Sequence, residues 1–249
     1  MCTVSIFSKN QGVLLTMNRD ERRTRLESPS PNNTDDCFFP TDSISAGTWC
    51  GLHRKGYALT LLNRYESESE YQGSDSRGRI IPEILELEKI SEITRYMATP
   101  NLYRFSPFDL LVTDSVSVRH FSWNGEACQF KESCIDQAPF FYTSSSERTA
   151  EVVAYREALF ENFKVEYPIP NPREVLSRFH GVRDTNLPRD GILVDRPEVH
   201  TMSICQIQIS DESATLEYWP ESDLGNCLKG EKAKAGFHKT FCRNLEMAK

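Results

Sequence analysis

The sequence predicts an α+β fold, because stretches with the period of β-strands and stretches with the period of helices occupy separate blocks of the chain. Alternating or β-branched residues fill 3–7 and 12–18, apolar residues recur at the helical spacing over 79–97, and alternation returns over 201–219. A doubly wound fold would instead alternate single strands with single helices. We therefore expect sheets built from hairpins, with the helices inserted between them along the chain.

Two hairpins separated by a loop are predicted at the start of the chain. Lys-Asn-Gln-Gly at 9–12 favours the turn of the first hairpin, and residues 28–36, rich in Ser, Pro, Asn and Asp, form the loop. In the second hairpin the period of two places Leu59, Leu61 and Asn63 on one face. The predicted strands are 3–7 and 12–18, then 48–53 and 56–63.

One long helix and further hairpins are predicted in the rest of the chain. Apolar residues at helical spacing run from Ile80 to Met97, with Pro82 in the first turn, where proline is tolerated. The remaining strands are predicted at 108–113, 116–123, 127–131, 140–143, 201–209 and 214–219, and the remaining helices at 149–163 and 172–179.

The charge balance argues against a polyanionic partner. Lys and Arg number 29 against 36 Asp and Glu, a formal net charge of −7, whereas binding to nucleic acid or an anionic membrane surface needs a basic face. The longest apolar runs, 57–62 and 108–112, are far shorter than the roughly 20 residues of a membrane-spanning helix. No secretory signal pattern is found. We therefore expect one cytoplasmic domain, residues 1–249, with no nucleic acid partner and no membrane span.

The cysteines and histidines form no metal-binding pattern. The chain has 8 cysteines and 5 histidines, but neither a C-x-x-C nor an H-x-x-x-H pair, so no zinc site is predicted. The cysteines are expected to stay free in a reducing cytoplasm. Cys227 and Cys242 lie in a polar C-terminal segment and are expected to be exposed. No metal and no organic cofactor are expected.

Cys2 is the first candidate for chemistry. If Met1 is removed, Cys2 carries both a thiol and a free α-amine. The amine titrates at about 7.7–8.0 and can take the proton of a thiol whose ordinary pKa is about 8.5. One residue would then supply nucleophile and base. A small buried hydrophobic residue at the start of a strand is the alternative interpretation.

The segment Asn-Arg-Asp-Glu at 18–21 is the second candidate. A hairpin that turns near Asn10 pairs the two strands so that Cys2 lies opposite Asn18. An amide and a carboxylate beside Cys2 can orient its amine and hold its thiolate. A solvated turn is the alternative, because 19–25 is charged almost throughout.

The period of two divides this segment between the two faces of the sheet. Asn18 and Asp20 are expected on the face of Cys2, whereas Arg19 and Glu21 face away from it. On that far side Arg19 and Glu21 are expected to form a structural ion pair.

The same motifs carry a family resemblance. Met-Cys-Thr-Val-Ser-Ile-Phe at 1–7 followed by Asn-Arg-Asp-Glu at 18–21 resembles the NRDE family of transport and Golgi organisation 2-like proteins. Gly-Thr-Trp at 47–49, Ala-Leu-Thr-Leu-Leu-Asn at 58–63 and Ser-Arg-Gly at 76–78 resemble further segments of that family. The family is similar to N-terminal nucleophile hydrolases of the choloylglycine hydrolase and penicillin acylase type. This implies a four-layer αββα sandwich with Cys2 at the mouth of the central sheets.

The resemblance also implies catalytic roles. In those hydrolases the terminal cysteine is the nucleophile, an Asn-x-Asp segment supports it, and a strand-end Asn contributes to the oxyanion hole. Carried over to this sequence, the catalytic residues are Cys2, Asn18, Asp20 and Asn63. The Asn63 amide can point N–H donors at an oxyanion, although an exposed strand-end Asn is the alternative interpretation.

Three other positions are expected to line the site. Met17 stands where bile-salt hydrolases carry an arginine, and Ser144 lies where a second oxyanion Asn would be expected. His200 lies on a late strand that carries a polar Thr-Arg-Thr-like segment in related proteins. It either lines the site or bonds to the backbone. The expected lining residues are Ser144 and His200, together with Arg19 of the Asn-Arg-Asp-Glu segment in case it does not face away. The substrate does not carry over from the family.

Together these observations predict a hydrolase that cleaves a linear or cyclic C–N amide bond of a small molecule by acyl transfer through Cys2. The same resemblance allows a non-catalytic binding or trafficking protein for an amphipathic ligand such as haem or an acyl-coenzyme A. An interaction scaffold without a small-molecule pocket is a third hypothesis. The sequence leaves the substrate and the oligomeric state open.

Overall fold

The computed structural model describes residues 2–9, 12–65, 71–87, 89–185, 187, 189–229 and 231–242. The strands within these residues are β1 (Cys2–Lys9), β2 (Gly12–Arg22), β3 (Asn32–Asn33), β4 (Cys37–Phe39), β5 (Cys50–His53), β6 (Tyr57–Asn63), β7 (Phe108–Asp114), β8 (Ser117–Trp123), β9 (Cys128–Cys134), β10 (Phe140–Thr143), β11 (Val199–Ser210), β12 (Ser213–Pro220) and β13 (Phe237–Cys242). They form two antiparallel sheets, one in the order β10-β1-β2-β11-β12-β13 and one in the order β3 to β9.

The two sheets stack on each other through a buried apolar layer. Val4 and Met17 of the first sheet belong to the same buried cluster as Leu52 and Leu62 of the second. Because side chains alternate along a strand, every second residue of these strands faces this layer and the others face outward. The main core of the molecule therefore lies between the sheets.

Helices cover the outer faces. Those on the second sheet are α1 (Ile80–Leu85) and α2 (Ile90–Met97), which share a buried cluster with Leu59 and Leu110. Those on the first sheet are α3 (Thr149–Glu166) and α4 (Pro172–Glu174), which continues as a π-helical segment over Val175–His180. A short helix, α5 (Leu224–Leu228), follows β12. The order helix, sheet, sheet, helix confirms the predicted αββα sandwich.

The single helix predicted from Ile80 to Met97 is wrong, because two helices occupy this stretch. The backbone is extended at Lys89, with φ −129° and ψ 139°, and the Lys89 N–H donates to the side chain of Glu92 at 2.9 Å, which begins α2. Leu87 packs against the same core as the helices. The apolar spacing therefore continues across the break between the two helices, so the sequence pattern does not reveal it. Glu88 lies outside the described residues.

The first hairpin forms as predicted but in a different register. Lys9 pairs with Gly12, so the connection comprises Asn10 and Gln11, which lie outside the described residues. A two-residue connection centres the hairpin half a residue later than a turn at Asn10 alone. Cys2 therefore lies opposite Arg19 rather than Asn18. A slip of one residue exchanges the two faces of a strand.

Candidate functional site

A cavity of about 410 Å³ opens where β1 begins, β2 ends and β6 ends. Its wall combines the start of the first sheet with the loop before β5 and the segment before α1. Its lining residues include Cys2, Arg19, Asp20, Glu21, Arg25, Asp42, Trp49, Asn63, Asp75, Ser76 and Arg77. The volume lies within the roughly 300–1,000 Å³ typical of small-molecule sites.

Cys2 lies in this wall with its main chain held on both sides. The Cys2 nitrogen donates to Ser144 Oγ at 3.3 Å, and the Cys2 carbonyl accepts the Ser144 N–H at 3.0 Å. The backbone N–H of Asp20 donates to the thiol. The residue is only 7% exposed, and this burial raises the pKa of the thiol to about 11, although the Arg19 charge opposes the rise. Met1, whose removal is part of the prediction, lies outside the described residues.

Asn18 does not face the cavity. Its Nδ2 donates to the backbone carbonyls of His180 and Ile192, each at 3.0 Å, and its Oδ1 lies 2.7 Å from His180 Nδ1. Burial lowers the pKa of His180 to about 3, so this imidazole stays neutral and bridges Asn18 to the hydroxyl of Ser5, 2.7 Å from Nε2. The predicted neighbour of the nucleophile instead joins β2 to the outer helical layer.

Asp20 lies under the cavity and is almost completely buried. Its Oδ1 accepts the hydroxyl of Thr201 at 2.7 Å, and its Oδ2 lies 3.9 Å from Nη2 of Arg156, which is also buried. Burial raises the pKa of the Asp20 carboxyl, and the Arg156 charge opposes the rise. The Asp20 side chain therefore reaches a buried charge network, while its backbone N–H supports Cys2.

Arg156 extends this network beneath Cys2 from helix α3. Its guanidinium donates to Thr3 Oγ1 at 3.3 Å, to Thr143 Oγ1 at 3.0 Å and to the Ser144 carbonyl at 3.2 Å. These partners belong to β1 and to the segment that ends β10. A helix of the outer layer therefore supports the strand pair that carries the nucleophile.

Arg19 and Glu21 were predicted to face away from Cys2, and this is wrong. Both line the cavity with Cys2. Arg19 donates to Asp42 at 2.7 Å and to Glu27 at 3.1 Å, and its guanidinium stacks over the ring of Trp49 at 4.3 Å. The predicted pair of Arg19 with Glu21 is replaced by these contacts. The register of the hairpin explains the error, because opposite residues of an antiparallel pair point to the same face.

Asn63 lines the same cavity as Cys2, at the end of β6. Its Nδ2 donates to the hydroxyl of Tyr65 at 3.0 Å, and the residue is half-buried. Leu59 and Leu61 on the same face of β6 pack toward α1 and α2, as the predicted alternation requires. Asn63 therefore reaches the cavity from the edge of the second sheet.

The other two predicted lining residues separate. Ser144 contacts the Cys2 backbone directly. His200 is buried and does not line the cavity, although it pairs across the strands with Glu21, which does. It contacts Arg23, and its Nδ1 lies 3.5 Å from Glu221. Burial lowers the pKa of this imidazole. Neither residue is among those that line the cavity, but Ser144 supports the Cys2 backbone and His200 has no such contact.

Arg77 belongs to the Ser-Arg-Gly motif at 76–78, but the sequence predicted no function for it. It reaches the cavity from the short 3-10 helix Arg77–Arg79. Sequence reasoning passed over it because the spacing of Ser-Arg-Gly in the chain gives no sign of what lies beside it. Asp42 and Arg156 were missed for the same reason, since only the tertiary fold brings Asp42 to Arg19 and Arg156 to the residues beside Cys2.

No cluster of three or more His, Cys, Asp or Glu that fits a metal ion occurs among the described residues. In the same part of the chain, no helix is long and apolar enough to cross a membrane.

Comparison with known proteins supports the fold and gives the family. No curated protein matches the chain. An N-acylethanolamine-hydrolyzing acid amidase (NAAA) ortholog from Caenorhabditis elegans matches with a TM-score of 0.50 and 15% identity, over 83% of this chain and 92% of that one. The C2A mutant of a conjugated bile acid hydrolase from Clostridium perfringens matches with a TM-score of 0.44 and 10% identity, over 98% and 97%. A model of the Transport and Golgi organisation 2 family matches residues 1–212. The chain therefore belongs to the Transport and Golgi organisation 2 family.

Proposed function

We propose that the protein is a hydrolase that cleaves a linear or cyclic C–N amide bond of a small molecule by acyl transfer through Cys2. The observation that carries this proposal is the position of Cys2, which opens onto the cavity while its nitrogen lies 3.3 Å from Ser144 Oγ. A nitrogen held there becomes a positioned α-amine once Met1 is removed. An amidase is also among the proteins that share the fold.

The proposed reaction uses the α-amine of Cys2 as its base. The amine takes the thiol proton, and the sulfur attacks the amide carbon, so that an S–C bond forms and the carbonyl oxygen becomes an oxyanion. The C–N bond then breaks, and the ammonium gives its proton to the leaving nitrogen. Water, activated by the same amine, attacks the thioester. The acid leaves and the thiol regains its proton.

The neighbouring residues support this cycle in different ways. The Asp20 backbone N–H donates to the sulfur and stabilises its thiolate. We propose that the Asp20 carboxylate and Ser144 orient the amine, and that Asn63 donates an amide N–H to the oxyanion, an interaction whose loss typically costs about 3–4 kcal/mol. Asn18 acts indirectly, because it fixes the strand that carries Asp20.

Burial explains why processing matters to the proposal. With a pKa of about 11, the buried thiol of Cys2 stays protonated at neutral pH. A free α-amine next to the sulfur supplies a base inside the site, which bulk solvent cannot do efficiently for a group that is 7% exposed.

We propose that the single domain 1–249 works in the cytoplasm, where its cysteines, free among the described residues, stay reduced.

The same burial also favours a second candidate function. A carrier for an amphipathic ligand, such as haem or an acyl-coenzyme A, would need no thiolate, and a protonated Cys2 with a pKa of about 11 is compatible with that role. In this case Cys2 would contact the ligand or support the strand, and the cavity would bind without turnover.

A panel of N-acyl amino acids, lactams and acyl-coenzyme A compounds separates the two functions. Processed protein, Met1-retaining protein and Cys2→Ala are each assayed for release of amine or acid. We expect turnover by the processed form alone and a covalent acyl adduct on Cys2 by intact mass. Equal hydrolysis by all three proteins would exclude catalysis by Cys2. Binding without turnover in all three would identify a carrier.

A further inference from the structure

The charged side chains around the cavity are paired with one another in almost every case. The pairs are Arg19 with Asp42 at 2.7 Å, Arg25 with Glu21 at 3.1 Å, and Asp75 with Arg104 at 3.4 Å. Asp20 has Arg156 at 3.9 Å. These pairs already compensate the carboxylates of the wall, so they do not need a ligand cation.

Arg77 is the exception among the cavity arginines. Its Nη1 donates to the Pro107 carbonyl at 2.9 Å, and no carboxylate of the described residues forms an ion pair with it. The side chain is half-buried, and burial lowers the pKa of its guanidinium. Since an arginine stays charged in proteins, this positive charge is partly desolvated. The charge of Glu21 acts on it from a distance, but the Glu21 carboxylate forms its ion pair with Arg25.

The position of Arg77 is fixed by a close contact of two backbones. The Gly78 carbonyl accepts the Thr48 N–H at 2.9 Å, and a Cβ on Gly47 would lie 2.5 Å from the carbonyl carbon of Gly78. This contact joins the Gly-Thr-Trp segment to the Ser-Arg-Gly segment. Arg77 therefore reaches the cavity from a rigid junction and not from a free loop.

The remaining donors of this corner suit an anion. With Nη1 on a carbonyl, the Nε and Nη2 of Arg77 stay available, and this edge of a guanidinium binds carboxylate or phosphate oxygens in a two-point contact. Ser76 also lines the cavity, and its hydroxyl has no hydrogen-bond partner among the described residues. The Arg77 guanidinium and the neighbouring Ser76 hydroxyl therefore favour a single acceptor group with several oxygens.

We propose that Arg77 binds an anionic group, a carboxylate or a phosphate, on the molecule that enters the cavity beside Cys2. The preferred ligand is then an amide with a charged amine part, such as an N-acyl amino acid or an N-acyl phosphoethanolamine, and not a neutral amide. The cleavage of such an amide rests on the proposed function, whereas the binding of the anion does not.

Three ligands with the same hexanoyl chain test the proposal: N-hexanoylglycine, N-hexanoylethanolamine phosphate and neutral N-hexanoylethanolamine. Calorimetry on the Cys2→Ala protein measures affinity without turnover. We expect at least one anionic ligand to bind about 10- to 100-fold more tightly than the neutral one. Arg77→Gln should remove this preference and leave the affinity for the neutral ligand unchanged, while Arg77→Lys should keep part of it.

Arg79→Gln is the matched control. Arg79 is exposed, lies two positions along the same 3-10 helix and contacts Asp75 at 3.7 Å without lining the cavity, so its loss should not alter the preference. Three outcomes would overturn the proposal. All three ligands could bind equally well to the protein that keeps Arg77, or neither anion could bind detectably at millimolar concentration. Arg77→Gln could also lower the affinity for all three ligands equally. If the anionic ligands bind preferentially but the processed protein does not hydrolyse them, only the proposed hydrolase function is refuted. Hydrolysis without preference would refute only the anion site.

Discussion

Ser144 holds the backbone nitrogen of Cys2, and the backbone N–H of Asp20 donates to its thiol, so the reactivity of the thiol depends on burial and on what precedes Cys2 in the chain. The three catalytic residues other than Cys2 that the sequence indicated behave differently from one another. Asn63 lines the cavity, Asp20 supports the sulfur through its N–H, and Asn18 bonds to the outer layer. The motif that Asn18 and Asp20 share did not distinguish a side-chain role from a backbone role.

We expect the alkylation of Cys2 in the Met1-retaining protein to be slow at neutral pH and to rise with pH. Below a pKa of about 11, the thiolate fraction grows about tenfold for each pH unit, because the thiolate is the nucleophile. Timed iodoacetamide labelling followed by peptide mapping gives the rate at Cys2. The processed protein, with the α-amine beside the sulfur, should label faster at neutral pH.

Cys134 and Cys242 are the reference thiols, because both are exposed. Cys227 was predicted to be exposed with Cys242, but it is completely buried beside Trp219. The polar residues around it in the sequence did not reveal that α5 turns this side chain inward. Labelling of Cys2 as fast as Cys134 in the Met1-retaining protein at neutral pH would contradict the buried, protonated state.

At the scale of elements, the site depends on a junction between the loop before β5 and the 3-10 helix before α1. Neither segment shows strand or helix periodicity, so sequence patterns gave only their composition. The hairpins and helices at either side follow from their apolar spacing. The junction itself depends on two glycines that are distant in the chain and adjacent in space, and no local signal indicates such a contact.

Gly47→Ala should therefore disturb this junction. The added Cβ would lie within 2.5–2.9 Å of three backbone atoms of Gly78, so one segment must move. We expect the free energy of unfolding to fall by about 1–3 kcal/mol, together with weaker binding of anionic ligands because Arg77 shifts. Urea unfolding and calorimetry measure the two effects.

Gly225→Ala provides the comparison. Nothing lies within 4 Å of a Cβ at Gly225, which is in α5, and alanine is favoured over glycine within a helix by up to about 1 kcal/mol. This variant should be as stable as the parent protein or more stable. If Gly47→Ala unfolds at the same urea concentration as Gly225→Ala, the close contact does not constrain the site.

At the scale of the whole molecule, helix α3 supports the nucleophile through the first sheet. The guanidinium of Arg156 crosses from the helix to Asp20 and to the strand pair of β1 and β10.

The α+β class of the molecule could be predicted from the periodicity of the sequence alone. The stacking of the two sheets followed from the family resemblance, because alternation shows that a strand has a buried face but not what covers it.

Removing Arg156 should destabilise the molecule strongly. Arg156→Ala leaves the Asp20 carboxylate with less compensation for its burial and opens a space beneath β1, so we expect a loss of about 3–5 kcal/mol in the free energy of unfolding. Lys164→Ala, on the same helix, removes a solvent-accessible ion pair with Glu161 at 2.8 Å and should cost less than about 1 kcal/mol. Thermal unfolding of both variants tests this, and similar losses would show that Arg156 is not a support of the site.

The placement of β1 between β10 and β2, with β2 itself against β11, also sets an order of events during synthesis. β10 begins at Phe140 and β11 at Val199, so the strands that enclose the start of the chain leave the ribosome long after it. At roughly 5–20 residues per second, this delay is about 7–28 s for β10 and about 10–40 s for β11. A peptidase that removes Met1 can act on the nascent chain throughout that interval. If Met1 is removed in that interval, as we propose, β10 and β11 join the sheet afterwards and enclose an amino terminus that was accessible when it formed.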